Sequence, residues 1–365
     1  MTSVPPDNAQ CSGHRSAKIS IDLQALKHNF QRVRELTAGK SIMPVVKANA
    51  YGHGVRQIVE GLQDANGFAV AQLDEAIALR KQGVSKPIAV FHGFSNAQQL
   101  ARFVEYQLSP AISQPWQIDL LLQANPDKPL NIWLKVNTGM GRLGFPADQV
   151  AAIRDKLAAR PHIESVSLMM HFANADQPQH PLNQQQVVEF SALASQLNAT
   201  TSVSNSAAII TQLYHGETWV RPGIMLYGAS PLQEQTAASL GLKAVMTFSA
   251  ELIAINQLAK GHLVGYGSTW SCPEDMPTGI VNAGYGDGYP RHATTGTPVI
   301  VNGQRTQVLG RVSMDSIIVD LRNVQASCGD TVELWGKQLP VDEVARRAQT
   351  ISYELLCNAG RGFGV

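Results

Sequence analysis

Ile42-Met43-Pro44-Val45-Val46-Lys47-Ala48-Asn49-Ala50-Tyr51-Gly52-His53-Gly54 passes from a short apolar run into a lysine and a glycine-bounded turn. Helical spacing resumes over residues 55–62. A short apolar run closed by turn residues reads as a strand buried on both faces. The same beat of run, turn and helix repeats outward from this stretch. The runs are 43–46, 68–71, 88–91, 108–112, 130–136, 166–170, 202–204 and 219–221. Helical stretches fall at 55–62, 73–81, 97–106, 116–124, 147–157, 184–197 and 206–213. Alternating strands and helices call for a parallel sheet. Eight such strands fit a closed (β/α)8 TIM barrel. The polar run 202–204 is the least strand-like of the set.

Upstream, residues 18–22 alternate like a half-buried strand, and Leu26, Phe30 and Val33 give 23–36 a helical stripe. Between 230 and 241 the beat stops. Strand-like runs follow at 247–255, 263–265, 279–282, 297–301, 307–309, 316–320 and 331–334. Asn302-Gly303 between two of them is a type I′ hairpin signal. One helix is expected over 341–357, from Val344, Ile351 and Leu355. The expected division is a loose leader at 1–18, a barrel domain at 19–240 and a mostly-β domain at 241–365. The strand near 19–22 is placed to pack with the last of these.

The 365 residues are 44% hydrophobic and 16% charged, with 29 basic and 28 acidic side chains. That balance lacks the electrostatic footprint of a nucleic-acid binder. Cys11, Cys272, Cys328 and Cys357 are widely spaced, with no zinc pattern. They read as free thiols in a reducing compartment. No secretory h-region opens the chain, and no apolar run approaches the roughly 20 residues needed to span a bilayer. A soluble, cytoplasmic protein is expected.

In such a barrel, chemistry gathers at the C-terminal ends of the strands. Lys47 follows the first run. Asn137-Thr138-Gly139-Met140-Gly141-Arg142-Leu143-Gly144 follows Lys135-Val136. His171 follows Met169-Met170, Asn205-Ser206 follows 202–204, and Arg221-Pro222-Gly223-Ile224 closes the set. A lysine leaving a buried strand can lose solvation and favour its neutral amine, which condenses with aldehydes. Tyr51 offers a hydroxyl, and Gly52 and Gly54 allow close backbone approach to a phosphate. Together these point to a lysine holding pyridoxal phosphate. Plainer readings stand beside each residue. A lone strand-end lysine is ordinarily solvated, and His171 can be a paired core histidine. Ser206 can be a helix N-cap, Arg142 a surface loop residue, and Gly139 and Gly141 turn formers.

The segment from Val46 to Gly54 resembles the cofactor-lysine signature of the alanine racemase family. The resemblance continues through Lys135 to Gly144, His171-Phe172-Ala173-Asn174-Ala175-Asp176, Ser204-Asn205-Ser206-Ala207-Ala208 and Arg221-Pro222-Gly223. In the second domain it takes in Val264-Gly265-Tyr266-Gly267-Ser268-Thr269-Trp270, Gly284-Tyr285-Gly286-Asp287-Gly288 and Gly310-Arg311-Val312-Ser313-Met314-Asp315. It implies an amino-acid racemase, an isomerase that interconverts L- and D-alanine by a two-base mechanism on pyridoxal 5′-phosphate. Such an enzyme either supplies D-alanine for peptidoglycan or degrades it. By resemblance Lys47 carries the cofactor and serves one face of the substrate, while Tyr266 serves the other. A phenol titrates near about pH 10, so a tyrosine base needs positive neighbours, and His171 and Arg221 are matched to that role. Arg221 faces the pyridine nitrogen in the family; arginine keeps its proton, which leaves the ring a weaker electron sink.

The resemblance also makes Tyr51, Asn205, Ser206, Gly223, Ile224 and Tyr227 cofactor ligands. Arg142, Met314, Tyr285 and Asp315 become substrate contacts. Lys135 matches a lysine that is carbamylated and orients Arg142, although Asn137 stands where many relatives carry aspartate. The family's sites use both chains of a head-to-tail homodimer. Relatives also run on into an arginine–valine strand, which 357–365 does not reproduce. Two other readings remain within reach of these motifs. A pyridoxal-phosphate decarboxylase would release carbon dioxide. A non-catalytic cofactor carrier would bind without exchanging an α-proton. A broader racemase would differ only in pocket width.

Overall fold

The computed structural model describes residues 17–362. The expected leader at 1–16, Cys11 within it, and residues 363–365 lie outside the described residues. The chain forms two compact units, Leu23–Leu242 and the segments flanking it on both sides.

In chain order β1 (Lys18–Ile21) precedes the helix Leu23–Leu36. Then come β2 (Ser41–Ile42), β3 (Phe68–Val70), β4 (Ile88–Val90), β5 (Ser109–Ile112), β6 (Leu130–Lys135), β7 (Ile163–Met169), β8 (Thr201–Ser202) and β9 (Trp219–Val220). Strands β2 to β9 form one parallel sheet in the order β2-β9-β8-β7-β6-β5-β4-β3. The chain beyond β2 closes it. Val45 bridges Ala69, Val46 N–H donates to the Ala69 carbonyl at 2.9 Å, and Ala69 N–H donates to that of Pro44 at 2.9 Å. The strands are fully buried at β3 and β4, as their unbroken apolar runs require for a sheet covered on both faces. Helices separate them, opened by polar caps such as Asn96, whose side chain accepts the Gln99 N–H at 2.9 Å.

The second unit is antiparallel. Its strands are β10 (Met246–Leu258), β11 (Leu263–Val264), β12 (Trp270–Ser271), β13 (Met276–Val281), β14 (Pro298–Val301), β15 (Gln304–Gln307), β16 (Ile317–Asp320) and β17 (Thr331–Trp335). The main sheet runs β15-β14-β17-β10-β13-β16, with β1 added alongside β10. Lys18 to Ile21 pair with Ser249 to Met246. Asn302 and Gly303 both have positive φ, +49° and +76°, and carry the tight turn between β14 and β15.

Three expectations are corrected. Run 202–204 contributes only Ser202 to the sheet, in a strand that begins one residue earlier at Thr201. The hairpin register puts a strand at Gln304–Gln307 in place of 307–309, leaving Val308 as an isolated bridge to Val319. The helix expected over 341–357 is two helices, Val341–Arg347 and Ser352–Gly362, broken where Gln349 takes φ +53°. Ile351, read as part of one apolar stripe, lies in that break and is 61% exposed.

Candidate active site

Lys47 opens a turn of the wrong hand. Ala48, Asn49, Ala50 and Tyr51 all have φ between +52° and +54°, so Lys47–Gly52 contains a left-handed helical turn. Each non-glycine residue held there costs about 1–2 kcal/mol, and local bonds must offset several kcal/mol in total. Ala50 N–H donates to the Val46 carbonyl at 2.9 Å, and Gly54 N–H to that of Asn49 at 3.1 Å. The Asn49 side chain accepts the Val55 N–H at 2.8 Å. His53, fully buried, has Nδ1 within 3.1 Å of the Ala50 carbonyl and 2.9 Å of the Tyr51 carbonyl. Burial pushes its imidazole down to about pKa 4, so at neutral pH it is uncharged.

The strand ends carry a cluster of positive charge. Lys135 ends β6 and is buried. Burial, and then the charges of Arg221, Arg142 and Lys47, bring its amine down to about pKa 8. Half-buried His171 follows β7; desolvation first, then Arg221, Arg142, Lys135 and Lys47, push it down to about 3. At neutral pH the His171 imidazole is therefore uncharged among these cations. Arg221 keeps its charge, because burial lowers it only to about 10. Its guanidinium donates to Ser202 Oγ at 2.6 Å and to the carbonyls of Met170 and Val203 at 2.7 and 3.1 Å. Arg142 is exposed in its loop yet acts electrostatically on Lys135 and His171. Asn137 Oδ1 shapes that loop by accepting the N–H groups of Gly139 and Gly141 at 3.3 and 3.0 Å. That role needs a carbonyl oxygen and no charge.

A second constellation lies at the ends of β8 and β9. Asn205, not Ser206, caps the helix Ser206–Thr211, accepting the Ala208 N–H at 3.0 Å. Ser206 Oγ instead accepts the N–H groups of Gly223 and Met225 at 2.8 and 3.3 Å. With both acceptor positions used, its hydrogen is left to donate. A Cβ on Gly223 would lie 2.6 Å from the Tyr51 hydroxyl, so only glycine permits this approach. Ile224 begins the short 3-10 turn Ile224–Tyr227. The Tyr227 ring stacks on Tyr51 at 4.7 Å, and its hydroxyl donates to the Val45 carbonyl at 2.9 Å. Tyr227 thus fastens the strand end and Tyr51. Hydroxyls and backbone amides beside an excess of cations are the donor set a phosphate ester needs, and they fit pyridoxal phosphate.

In the β unit, Tyr266 opens the 3-10 turn Tyr266–Ser268 and is 68% exposed. Tyr285 and Met314 are held side by side: Tyr285 N–H donates to the Ser313 carbonyl at 3.1 Å, and Gly286 N–H to that of Met314 at 2.9 Å. A Cβ at Gly284 would collide with both carbonyls. Asp315 is exposed beside them.

Four residues near the barrel site were missed by sequence reasoning. Gln186 is fully buried and ties the loops together, donating to Thr138 Oγ1 and the His171 carbonyl, both at 3.1 Å. Buried Glu217 accepts the Val203 and Ser204 N–H groups at 2.8 and 2.7 Å and supports the charge of Arg221. His92, after β4, is depressed first by burial and then by Lys135, Lys47 and Arg142. Glu75 accepts the Ala48 N–H. Glu75 sits in the first turn of its helix and reads as a helix-start residue; no other signal marked it.

Comparison with known proteins matches both units. Residues 21–231 fit the family model for the alanine racemase N-terminal domain, and residues 245–363 fit that for the C-terminal domain. An alanine racemase of Nitrosococcus oceani is 48% identical over 339 residues, covering 92% of this chain and 95% of the relative. A catabolic alanine racemase of Salmonella typhimurium is 45% identical, covering 94% and 96%. The crystal structure of the biosynthetic alanine racemase of Pseudomonas aeruginosa superposes with a TM-score of 0.91 at 43% identity, covering 95% and 97%.

Proposed function

The chain belongs to the alanine racemase family and is an amino-acid racemase, and from that premise we propose that it interconverts L- and D-alanine with pyridoxal 5′-phosphate held on Lys47. The observation that carries the cofactor assignment is the pairing of a four-cation cluster with the Ser206–Gly223–Tyr51 cradle. When bound, the cofactor supplies the electron withdrawal that makes an α-proton of alanine removable. Tyr51, Ser206 and the Ile224 amide would hold the phosphate, joined by the Gly223 amide once it turns from Ser206 Oγ, and Asn205 fixes the helix end beside them. Arg221, anchored by its bonds to Ser202, Met170 and Val203, would offer the bound ring nitrogen a group that holds its own proton.

Two bases suit the reaction because one group cannot easily serve both faces of a planar centre. Lys47 takes or returns the proton on one face and Tyr266 on the other. Tyr266 comes from a second copy in a head-to-tail dimer, with the Met314 amide, Tyr285 and Asp315 beside it. Arg142 orients the substrate carboxylate. Lys135, partly neutral near pH 8, is the amine able to add carbon dioxide; the carbamate would place an anion among Lys47, Arg142 and Arg221. Among the described residues no helix is long and apolar enough to cross a membrane, and the site takes a small polar amino acid, so a cytoplasmic setting is proposed with it.

The test is α-proton exchange in heavy water on both enantiomers of alanine, then on serine, lysine and arginine. Lys47→Ala should take up no cofactor. Tyr266→Phe should keep the cofactor and lose at least about 100-fold in turnover, the lower range for a lost general base. Normal turnover by Tyr266→Phe would overturn the two-base assignment. Labelled bicarbonate should give a carbamate carbon signal that Lys135→Ala lacks.

A further inference from the structure

The left-handed turn sets the direction in which the backbone leaves the strand at Lys47, and a side chain from the helix Leu73–Lys81 bonds to the first residue of that turn. Glu75 Oε1 accepts the Ala48 N–H at 2.6 Å. Its other oxygen accepts the N–H groups of Ala71 and Gln72, each at 3.0 Å. One carboxylate therefore takes three backbone donors, two from the start of the helix Leu73–Lys81 and one from the residue after Lys47. Ala48 is exposed, with φ +52° and no side chain able to hold it. Glu75 also opposes the cations electrostatically, raising His92 where Lys135, Lys47 and Arg142 lower it.

We propose that Glu75 is a positioning residue for Lys47, clamping the left-handed turn to the next strand–helix junction so that the lysine amine is held towards its aldehyde partner. The inference rests on Lys47 being the cofactor lysine. The obvious alternative is that Glu75 only caps its own helix, a role the two bonds at Oε2 would fulfil alone.

Glu75→Gln separates the two. A glutamine keeps one oxygen, which satisfies the two helix donors, and turns its NH2 towards the Ala48 N–H, donor against donor. Glu75→Ala removes both contacts. The probe is pyridoxal phosphate added to cofactor-stripped protein, trapped with borohydride and located by peptide mass. Exchange of the Ala48–Tyr51 amides is followed in parallel. For Glu75→Gln the expected result is a urea midpoint near that of the parent, faster exchange confined to Ala48–Tyr51, and Lys47 labelling slowed about tenfold, the scale of one charge-assisted hydrogen bond. Parent-like labelling and exchange in Glu75→Gln, with loss of stability only in Glu75→Ala, would leave Glu75 a helix cap and end the proposal. Parent protein labelled elsewhere than at Lys47 would remove the cofactor assignment itself, and this inference with it.

Discussion

Gly223 illustrates how little room the barrel site has at the scale of single residues. A Cβ there would meet the Tyr51 hydroxyl at 2.6 Å, so the bare backbone of glycine is what leaves that hydroxyl its place. Gly223→Ala is expected to weaken cofactor binding about tenfold or more by displacing Tyr51, with under about 2 kcal/mol lost in stability; cofactor titration and urea unfolding on the same variant check both. Buried His53 and half-buried His171 set a pH dependence. His53 sits near 4 and His171 near 3 in the folded chain, against 6.5 for a free imidazole. Between those values the unfolded chain binds more protons, so stability is full above about pH 6.5 and falls as pH drops through the window. His53 alone should remove about 2 kcal/mol by pH 5. Urea midpoints of the cofactor-free protein at pH 7 and 5 measure this, and equal values would refute it.

Elements were legible in the sequence where a period or a turn signature enforces them. The apolar runs gave the barrel strands because a doubly covered sheet needs them, and Asn302-Gly303 gave the hairpin because both positions need positive φ. Asn302→Ala should cost about 1–2 kcal/mol, through strain and the lost 2.6 Å bond to Asp330 Oδ2, while Asn302→Gly should recover the strain component. Unfolding midpoints of the two variants decide it. The left-handed turn was not legible, since Ala48, Ala50 and Tyr51 carry no signature of positive φ and are held by partners as distant in sequence as Glu75. The same applies to the break at Gln349, where neither glycine nor proline marks the change of direction. Lys47, Lys135, His171 and Arg221 stood out because strand ends expose chemistry. Gln186, Glu217 and Glu75 did not, because they act on backbone amides and carbonyls that the sequence does not display.

At the scale of the whole molecule, the chain order of the second unit is its least ordinary property. β1 belongs with β10, and Lys18 even reaches Glu251 at 3.4 Å across 233 positions. Pairings so distant in sequence form slowly. In single-tryptophan variants, refolding followed at buried Trp335 in β17 should lag refolding followed at Trp219 in β9; equal rates would argue against late assembly of the antiparallel sheet. During synthesis the consequence is sharper. β1 leaves the ribosome before its partner and must wait, with its edge unmatched, until the entire barrel and the beginning of β10 have been translated. A nascent chain stalled anywhere in the barrel holds a template for the wrong partner, so chaperone dependence should concentrate there.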